Sequence, residues 1–288
     1  MTISGPKQPL IRVLHDESRG DLRDPARPRP VRLYLWEPSH PSTAPAPLVV
    51  VSHGTGGSGS AMGWLVDPLV EAGLRVAALD HHGNNFVDGY EPEGFLHVWE
   101  RPRDVSFALD VLAREQPLGP VGAAGFSLGG YTAAALAGAR VDPHVLQAVL
   151  TGAVPLPDIP EFPGALQALR TRHTEDESSR RALDAAGADL SDPRVRAVFQ
   201  VAPGAGGFLT PTSLATVQVP VGIRWGGADT VNPYESDTRP YLENIPTARG
   251  CSAGPDVRHD DFFAPEADPA VRLRVGREAA AFFVHHLA

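Results

Sequence analysis

The stretch Pro120-Val121-Gly122-Ala123-Ala124-Gly125-Phe126-Ser127-Leu128-Gly129-Gly130-Tyr131 decides the fold. Its first half is an apolar run of strand length, its second half opens a segment rich in small residues, and Ser127 stands at the junction. A serine held on a sharp turn from strand to helix takes strained backbone angles. Side chains two positions either side would collide there, so the glycines at 125 and 129 are sterically required. Gly130, Ala133, Ala134 and Ala137 then let the following helix approach a sheet closely. The G-x-S-x-G pattern alone is moderate evidence, since an ordinary glycine-rich turn can satisfy it. The strand before it and the helix after it give it weight.

Working outward, apolar runs bounded by turn residues alternate with segments of helical period, which predicts an α/β fold with a mostly parallel central sheet flanked by helices. Val31 to Trp36 reads as an early strand. Leu48 to Ser52, Arg75 to Leu79, Val121 to Gly125, Arg196 to Val201 and Val219 to Trp225 read as buried strands, with a further one at Arg249 to Ala253. A helix is expected from Arg101, with Pro102 in its first turn and Val105, Leu109 and Leu112 on one face. Another follows Ser127, and a last one starts at Asp268-Pro269, with Val271, Val275, Ala279 and Phe282 as its apolar stripe. Near Trp64 the helical pattern is broken by Pro68. Between 141 and 193 the alternation stops, and prolines mix with the charged run from Arg170 to Arg181. The chain therefore divides into a core, 1–140 and 194–288, and an insertion, 141–193. Val145 to Leu150 and Phe162 to Leu169 are expected to form short helices over one end of the sheet, where a cap would sit; a mobile surface excursion is the alternative.

A serine hydroxyl is a weak nucleophile at neutral pH. It needs a histidine to take its proton and a carboxylate to orient that histidine. Downstream of Ser127, Gly226-Gly227-Ala228-Asp229-Thr230-Val231-Asn232-Pro233 follows the strand ending at Trp225 and puts Asp229 in a loop at a strand's C-terminal end, where catalytic groups of open α/β sheets gather. A turn-capping aspartate is the competing reading of Asp229. Val257-Arg258-His259-Asp260-Asp261-Phe262-Phe263 then supplies His259, the remaining downstream histidines His285 and His286 lying within the last helix. Asp256, Asp260 and Asp261 are rival acids, but they stand too near His259 in sequence for a separate acid loop. The oxyanion formed on attack needs backbone N–H donors. Leu128, directly after the serine at a helix N-terminus, is one candidate, and Thr55 in Ser52-His53-Gly54-Thr55-Gly56-Gly57 is the other. That loop lacks the Lys-Ser/Thr of a phosphate-binding loop, and His53 is expected to brace it. Trp99, Phe208 and Trp225 are candidate apolar walls of a substrate pocket, though each suits a core equally well.

Composition limits the alternatives. The 288 residues, 42% hydrophobic and 20% charged, suit a globular protein with a sizeable core. A net charge of −9 with no Lys/Arg run argues against a nucleic-acid partner. No run approaches the roughly 18 apolar residues of a membrane span, and the polar first twenty residues do not resemble a signal peptide, which leads to an expected cytoplasmic location. The one cysteine, Cys251, excludes an internal disulfide and a cysteine-based zinc cluster; it is expected to be a buried small apolar residue. His81 and His82 are adjacent and point apart, so no metal site is expected. Composition leaves the oligomeric state open.

Four segments together carry a family likeness: Val49-Val50-Val51-Ser52-His53-Gly54-Thr55-Gly56-Gly57, Asp80-His81-His82-Gly83-Asn84, Trp99-Glu100-Arg101-Pro102-Arg103-Asp104 and Gly125-Phe126-Ser127-Leu128-Gly129-Gly130-Tyr131. They resemble dienelactone-hydrolase-like α/β hydrolases, the group related to platelet-activating-factor acetylhydrolases. The likeness spans most of 31–288 and is weakest over 141–193. Dienelactone hydrolases proper use a cysteine nucleophile, where this chain has Ser127. The resemblance implies the α/β-hydrolase fold and hydrolysis of a small-molecule carboxylic ester through an acyl-enzyme. It implies no metal or organic cofactor, and Ser127, Asp229 and His259 as the triad. Thioesterases, lactonases, amidases and acyltransferases run on the same machinery. A catalytically silent hydrolase fold that only binds a ligand is the more distant alternative.

Overall fold

The computed structural model describes residues 8–38, 44–156, 158–175, 177 and 182–288. The decisive stretch folds as β7 (Val121–Phe126) running into α4 (Leu128–Ala135), with Ser127 between them. Around β7 an eight-stranded sheet is built from β1 (Leu10–Gly20), β2 (Pro28–Trp36), β3 (Leu48–Ser52), β4 (Arg75–Asp80), β8 (Val195–Val201), β9 (Val221–Trp225) and β10 (Ala248–Ser252). The strand order is β1-β2-β4-β3-β7-β8-β9-β10; β1 and β2 pair antiparallel, as do β2 and β4, and every later pairing is parallel. Two short strands, β5 (Asn84–Asn85) and β6 (Gly89–Tyr90), form a separate small hairpin, followed by the short helix α2 (Pro92–Leu96).

Both faces of the sheet are covered, which is why its central strands read as unbroken apolar runs rather than alternating ones. Along β3, Leu48 and Val50 enter the core on one face while Val49 and Val51 enter the core on the other. The first face carries α3 (Glu100–Glu115) and α4; the second carries α1 (Gly63–Glu71) and the terminal helix Pro269–His286. Asp268 caps that helix by accepting from the Ala270 N–H. Val275, Ala279 and Phe283 are buried along it, and Val271 and Phe282 pack at its margin. The sheet makes room for the helix, since a Cβ on Gly122 would lie 2.5 Å from the Phe283 ring.

Two expectations change, and one strand was not expected. β1 was not read from the sequence; it is an edge strand on which Leu10, Ile11 and Val13 are exposed and only Leu14 and Asp16 are buried, so it shows little burial period. Pro68 does not break α1, which runs through it. The Trp64 carbonyl, deprived by Pro68 of its usual donor, faces the terminal helix, where a Cβ on Gly276 would come within 2.5 Å of it. Cys251 is exposed, because it lies on β10 at the sheet's far edge, where four of five residues face solvent.

In the 141–193 segment, α5 (Pro143–Leu150) covers the first expected helix, while α6 (Ala165–Glu175) begins three residues later than the second and continues six residues past it, into the charged run. Leu146, Leu150 and Leu169 join the main core. Part of the charged run Arg170 to Arg181 lies outside the described residues. The loop before α6 packs on the segment around the small hairpin: Phe162 meets Tyr90 and Phe95 at ring separations of 6.1 and 5.5 Å.

Candidate active site

Ser127 has φ 54° and ψ −122°, a left-handed conformation that few side chains adopt. It is imposed from both sides. The Ser127 N–H donates to the Val201 carbonyl at 2.9 Å, and the Ser127 carbonyl accepts from Gly130 and Gly204. The two flanking glycines are needed for different reasons: a Cβ on Gly125 would sit 1.9 Å from the Gly129 carbonyl oxygen, and one on Gly129 would sit 2.0 Å from that of Ser52. The Ser127 turn is thus pressed against the end of β3, from which the His53–Gly57 loop departs.

Asp229, from the loop after β9, and His259, from the turn after β10, meet through Nδ1 and Oδ2 at 2.7 Å, and both are buried. An ionised carboxylate only accepts, so Nδ1 carries the proton and Nε2 is left as a base. The other Asp229 oxygen accepts from the N–H groups of Val231 and Asn232. Asp261, one of the rival acids, instead caps the short turn by accepting from the Arg258 N–H. The His259 ring lies 4.8 Å from that of Phe126, the residue before the serine. Ser127 Oγ and His259 share no hydrogen bond; the hydroxyl accepts from Asn232 Nδ2 at 3.2 Å. Contacts of this kind often tighten only when substrate binds.

In the loop after β3, the Gly56 N–H donates to Asn84 Oδ1 at 2.6 Å and the Gly57 N–H to the Gly54 carbonyl. The Thr55 and Leu128 amides meet no acceptor among the described residues. The loop stands on buried polar groups. His53 Nδ1 donates to the Gly54 carbonyl, and its Nε2 accepts from the His81 N–H. Burial, with the charge of Arg101, holds His53 neutral, well below the usual imidazole range. Arg101 reaches from α3 to donate to the His53 carbonyl and to Thr132 Oγ1 of α4. Burial lowers the Arg101 guanidinium to about 9. The roles of Asn84, Arg101 and Asn232 were not read from the sequence.

The sequence matches the family described as serine aminopeptidase, S33, over residues 43–263, more than half of the chain. The chain belongs to this family and is an α/β hydrolase. No curated protein matches its sequence. Among solved structures it is similar to a cold-adapted esterase from an Arctic intertidal metagenomic library, with a TM-score of 0.59 and 14% identity over 99% of this chain and 96% of that one. It is also similar to a dienelactone hydrolase from Anabaena variabilis, with a TM-score of 0.58 and 18% identity over 98% of this chain and 100% of that one. An acylaminoacyl peptidase from Pyrococcus horikoshii gives a TM-score of 0.60 and 13% identity over 98% of this chain and 42% of the peptidase. At such identities the likeness concerns the fold.

Of the residues expected in this α/β hydrolase's site, Asp229 and His259 are joined and Ser127 stands beside them through Phe126 and Asn232. The three candidate wall residues differ in their surroundings. Trp99 is 1% exposed, stacked on His97 within the core. Trp225 packs at a tilt on Tyr234, with ring centroids 5.0 Å apart, and lies over Gly250 of β10. Phe208 is half-buried in the turn after β8. Three exposed apolar side chains flank the candidate loops: Phe263 beside His259 and Phe126, Val231 two residues past Asp229, and Phe86, whose N–H donates to the Gly57 carbonyl. Tyr90 donates to the Gly56 carbonyl at 2.9 Å, and a Cβ on Gly56 would meet Glu161 of the 141–193 segment at 2.8 Å. Among the described residues there is no group of three or more His, Cys, Asp or Glu arranged to hold a metal, and no helix long and apolar enough to cross a membrane.

Proposed function

We propose that this α/β hydrolase is a serine esterase that cleaves carboxylic esters through an acyl-enzyme. The observation that carries the reading is the His259–Asp229 pair beside a serine held at φ 54°. Ser127 Oγ attacks the ester carbonyl, His259 Nε2 takes its proton, and Asp229 holds the imidazolium that results. The carbonyl electrons move onto oxygen, facing the Thr55 and Leu128 amides. His259 then protonates the departing alkoxide, and a water repeats the sequence to release the acid. Phe86, Val231 and Phe263 favour uncharged, apolar substituents around the ester. The stretch of the 141–193 segment around Glu161 and Phe162 acts as a cap over the oxyanion loop, a role supported by the placement of those two residues.

The test is hydrolysis of short-chain aryl esters and labelling by a fluorophosphonate, before and after Ser127→Ala. Both are expected to vanish in the variant. Retained turnover would sink the assignment. A parallel series of thioesters, lactones and amides separates the esterase from its relatives in chemistry, and failure of Ser127 to react with any activated phosphonate would point to a silent, ligand-binding fold.

A further inference from the structure

Among the described residues the Ser127 hydroxyl has one partner, and it is a residue the triad does not require. Asn232 lies three positions beyond Asp229, with its backbone N–H held by Asp229 Oδ1 at 2.8 Å. The carboxylate that orients His259 through one oxygen therefore fixes the Asn232 backbone through the other. From there the Asn232 side chain crosses to the nucleophile turn. Its Nδ2 donates to the Ala202 carbonyl at 2.8 Å and to Ser127 Oγ at 3.2 Å. A backbone carbonyl only accepts, so the Ala202 contact fixes which end of the amide faces inward, and the second N–H is committed to Oγ. Ala202 is itself at φ 43°, just past the end of β8, next to the Val201 carbonyl that holds the Ser127 N–H. Gly204 leaves room for the amide, since a Cβ there would stand 3.1 Å from Nδ2. With Asn232 only 9% exposed, water competes poorly for either bond.

Building on the esterase reading, we propose that Asn232 is a further catalytic residue: a side-chain donor that fixes the Ser127 oxygen and stabilises the negative charge it gains during attack. A hydroxyl has one hydrogen and two lone pairs. Asn232 occupies one lone pair. The O–H is left to turn toward His259 Nε2, and the other lone pair is left for the carbonyl carbon. As the Oγ–C bond forms, the O–H bond breaks, its proton passes to His259 Nε2 and the carbonyl π electrons move onto the oxygen facing Thr55 and Leu128. The Asn232 N–H meets Oγ throughout and binds it more strongly as it approaches an alkoxide. In the deacylation step the same donor stabilises Oγ as it leaves the acyl carbon and recovers its proton from His259.

The experiment compares the wild-type chain with Asn232→Ala, Asn232→Asp and Ser127→Ala. It measures the rate constant of fluorophosphonate labelling together with kcat and KM for 4-nitrophenyl acetate. In Asn232→Ala, labelling and kcat are expected to fall together by about 10- to 100-fold, the worth of a hydrogen bond to a charged group, while KM changes less than about twofold. In Asn232→Asp the donor becomes an acceptor facing Oγ, and the loss is expected to exceed that in the alanine variant. Wild-type labelling by a folded Asn232→Ala chain would overturn the proposal, as would a change confined to KM. Wild-type turnover in Ser127→Ala would overturn the esterase reading instead, so the two failures are distinguishable. Should neither Asn232 variant fold, the side-chain amide resonance of Asn232 in the wild-type protein decides. It is expected to shift when Ser127 is phosphonylated, and an unmoved resonance would overturn the proposal.

Discussion

At the scale of single residues, the site is organised around one strained backbone position. A non-glycine residue at φ 54° and ψ −122° costs on the order of 1–3 kcal/mol. Glycine populates such angles at little cost. Ser127→Gly is therefore expected to be more stable than Ser127→Ala by about 1 kcal/mol, with neither variant active. Denaturant unfolding of the two inactive proteins checks this. Equal midpoints would mean that the turn relaxes once the hydroxyl is gone. The difference belongs to Ser127 because the hydrogen bonds to Val201, Gly130 and Gly204 are made by backbone atoms that both variants keep.

At the scale of elements, the two candidate oxyanion donors come from different parts of the chain, the loop after β3 and the start of α4. Arg101 of α3 joins these parts by bonding His53 and Thr132. Arg101→Met keeps the bulk but leaves two buried acceptors without a donor. The expected cost is about 2–5 kcal/mol of stability, measured by denaturant unfolding. Turnover of the folded fraction is expected to fall at least tenfold, because the loop is no longer tied to the helix. Undiminished turnover would mean that the donors are set by the loop itself.

Arg101 also marks the limit of what could be read in advance. The helix around it was legible, because Val105, Leu109 and Leu112 repeat at helical spacing and all three are buried. Its side-chain target was not, since a charged residue opening a helix usually faces water. The same holds elsewhere. Asp229 and His259 could be proposed as a pair because each follows a legible strand downstream of Ser127, in the order expected on this fold. Asn232 follows the same strand, but nothing in a loop sequence says that its amide folds back onto Ser127. Trp99 was read as a possible pocket wall because large apolar residues near a site look alike in sequence, and its burial is decided only by the packing of distant elements. β1 escaped notice for the opposite reason, as an edge strand need not bury either face.

At the scale of the whole molecule, the floor beneath the site is a buried polar layer whose protonation is coupled to folding. Burial and the charge of Arg101 lower the His81 imidazole to about 3, and His53 is held neutral in the same way. Burial alone would raise the Asp104 carboxyl, but Arg29, His81 and Arg19 outweigh it and carry Asp104 well below the usual carboxylate range. Below about pH 6.5 an unfolded histidine takes up a proton that these two native histidines refuse, so unfolding is favoured as pH falls. The ionised Asp104 acts in the same direction, its contribution being lost only below about pH 4, where the unfolded carboxylate protonates. Stability is thus expected to fall from about pH 6.5 toward about pH 4, at up to roughly 1.4 kcal/mol per pH unit for each buried histidine. Urea unfolding at a series of pH values measures the slope, and His81→Gln should remove about one proton from it. A free energy of unfolding that stays level between pH 6.5 and pH 4 would contradict the coupling. A steep slope that His81→Gln leaves untouched would assign it to the other histidines that burial lowers, His53, His82 and His97; of these His53 braces the loop after β3 directly, so that acid would disrupt the floor of the site as it unfolds the chain.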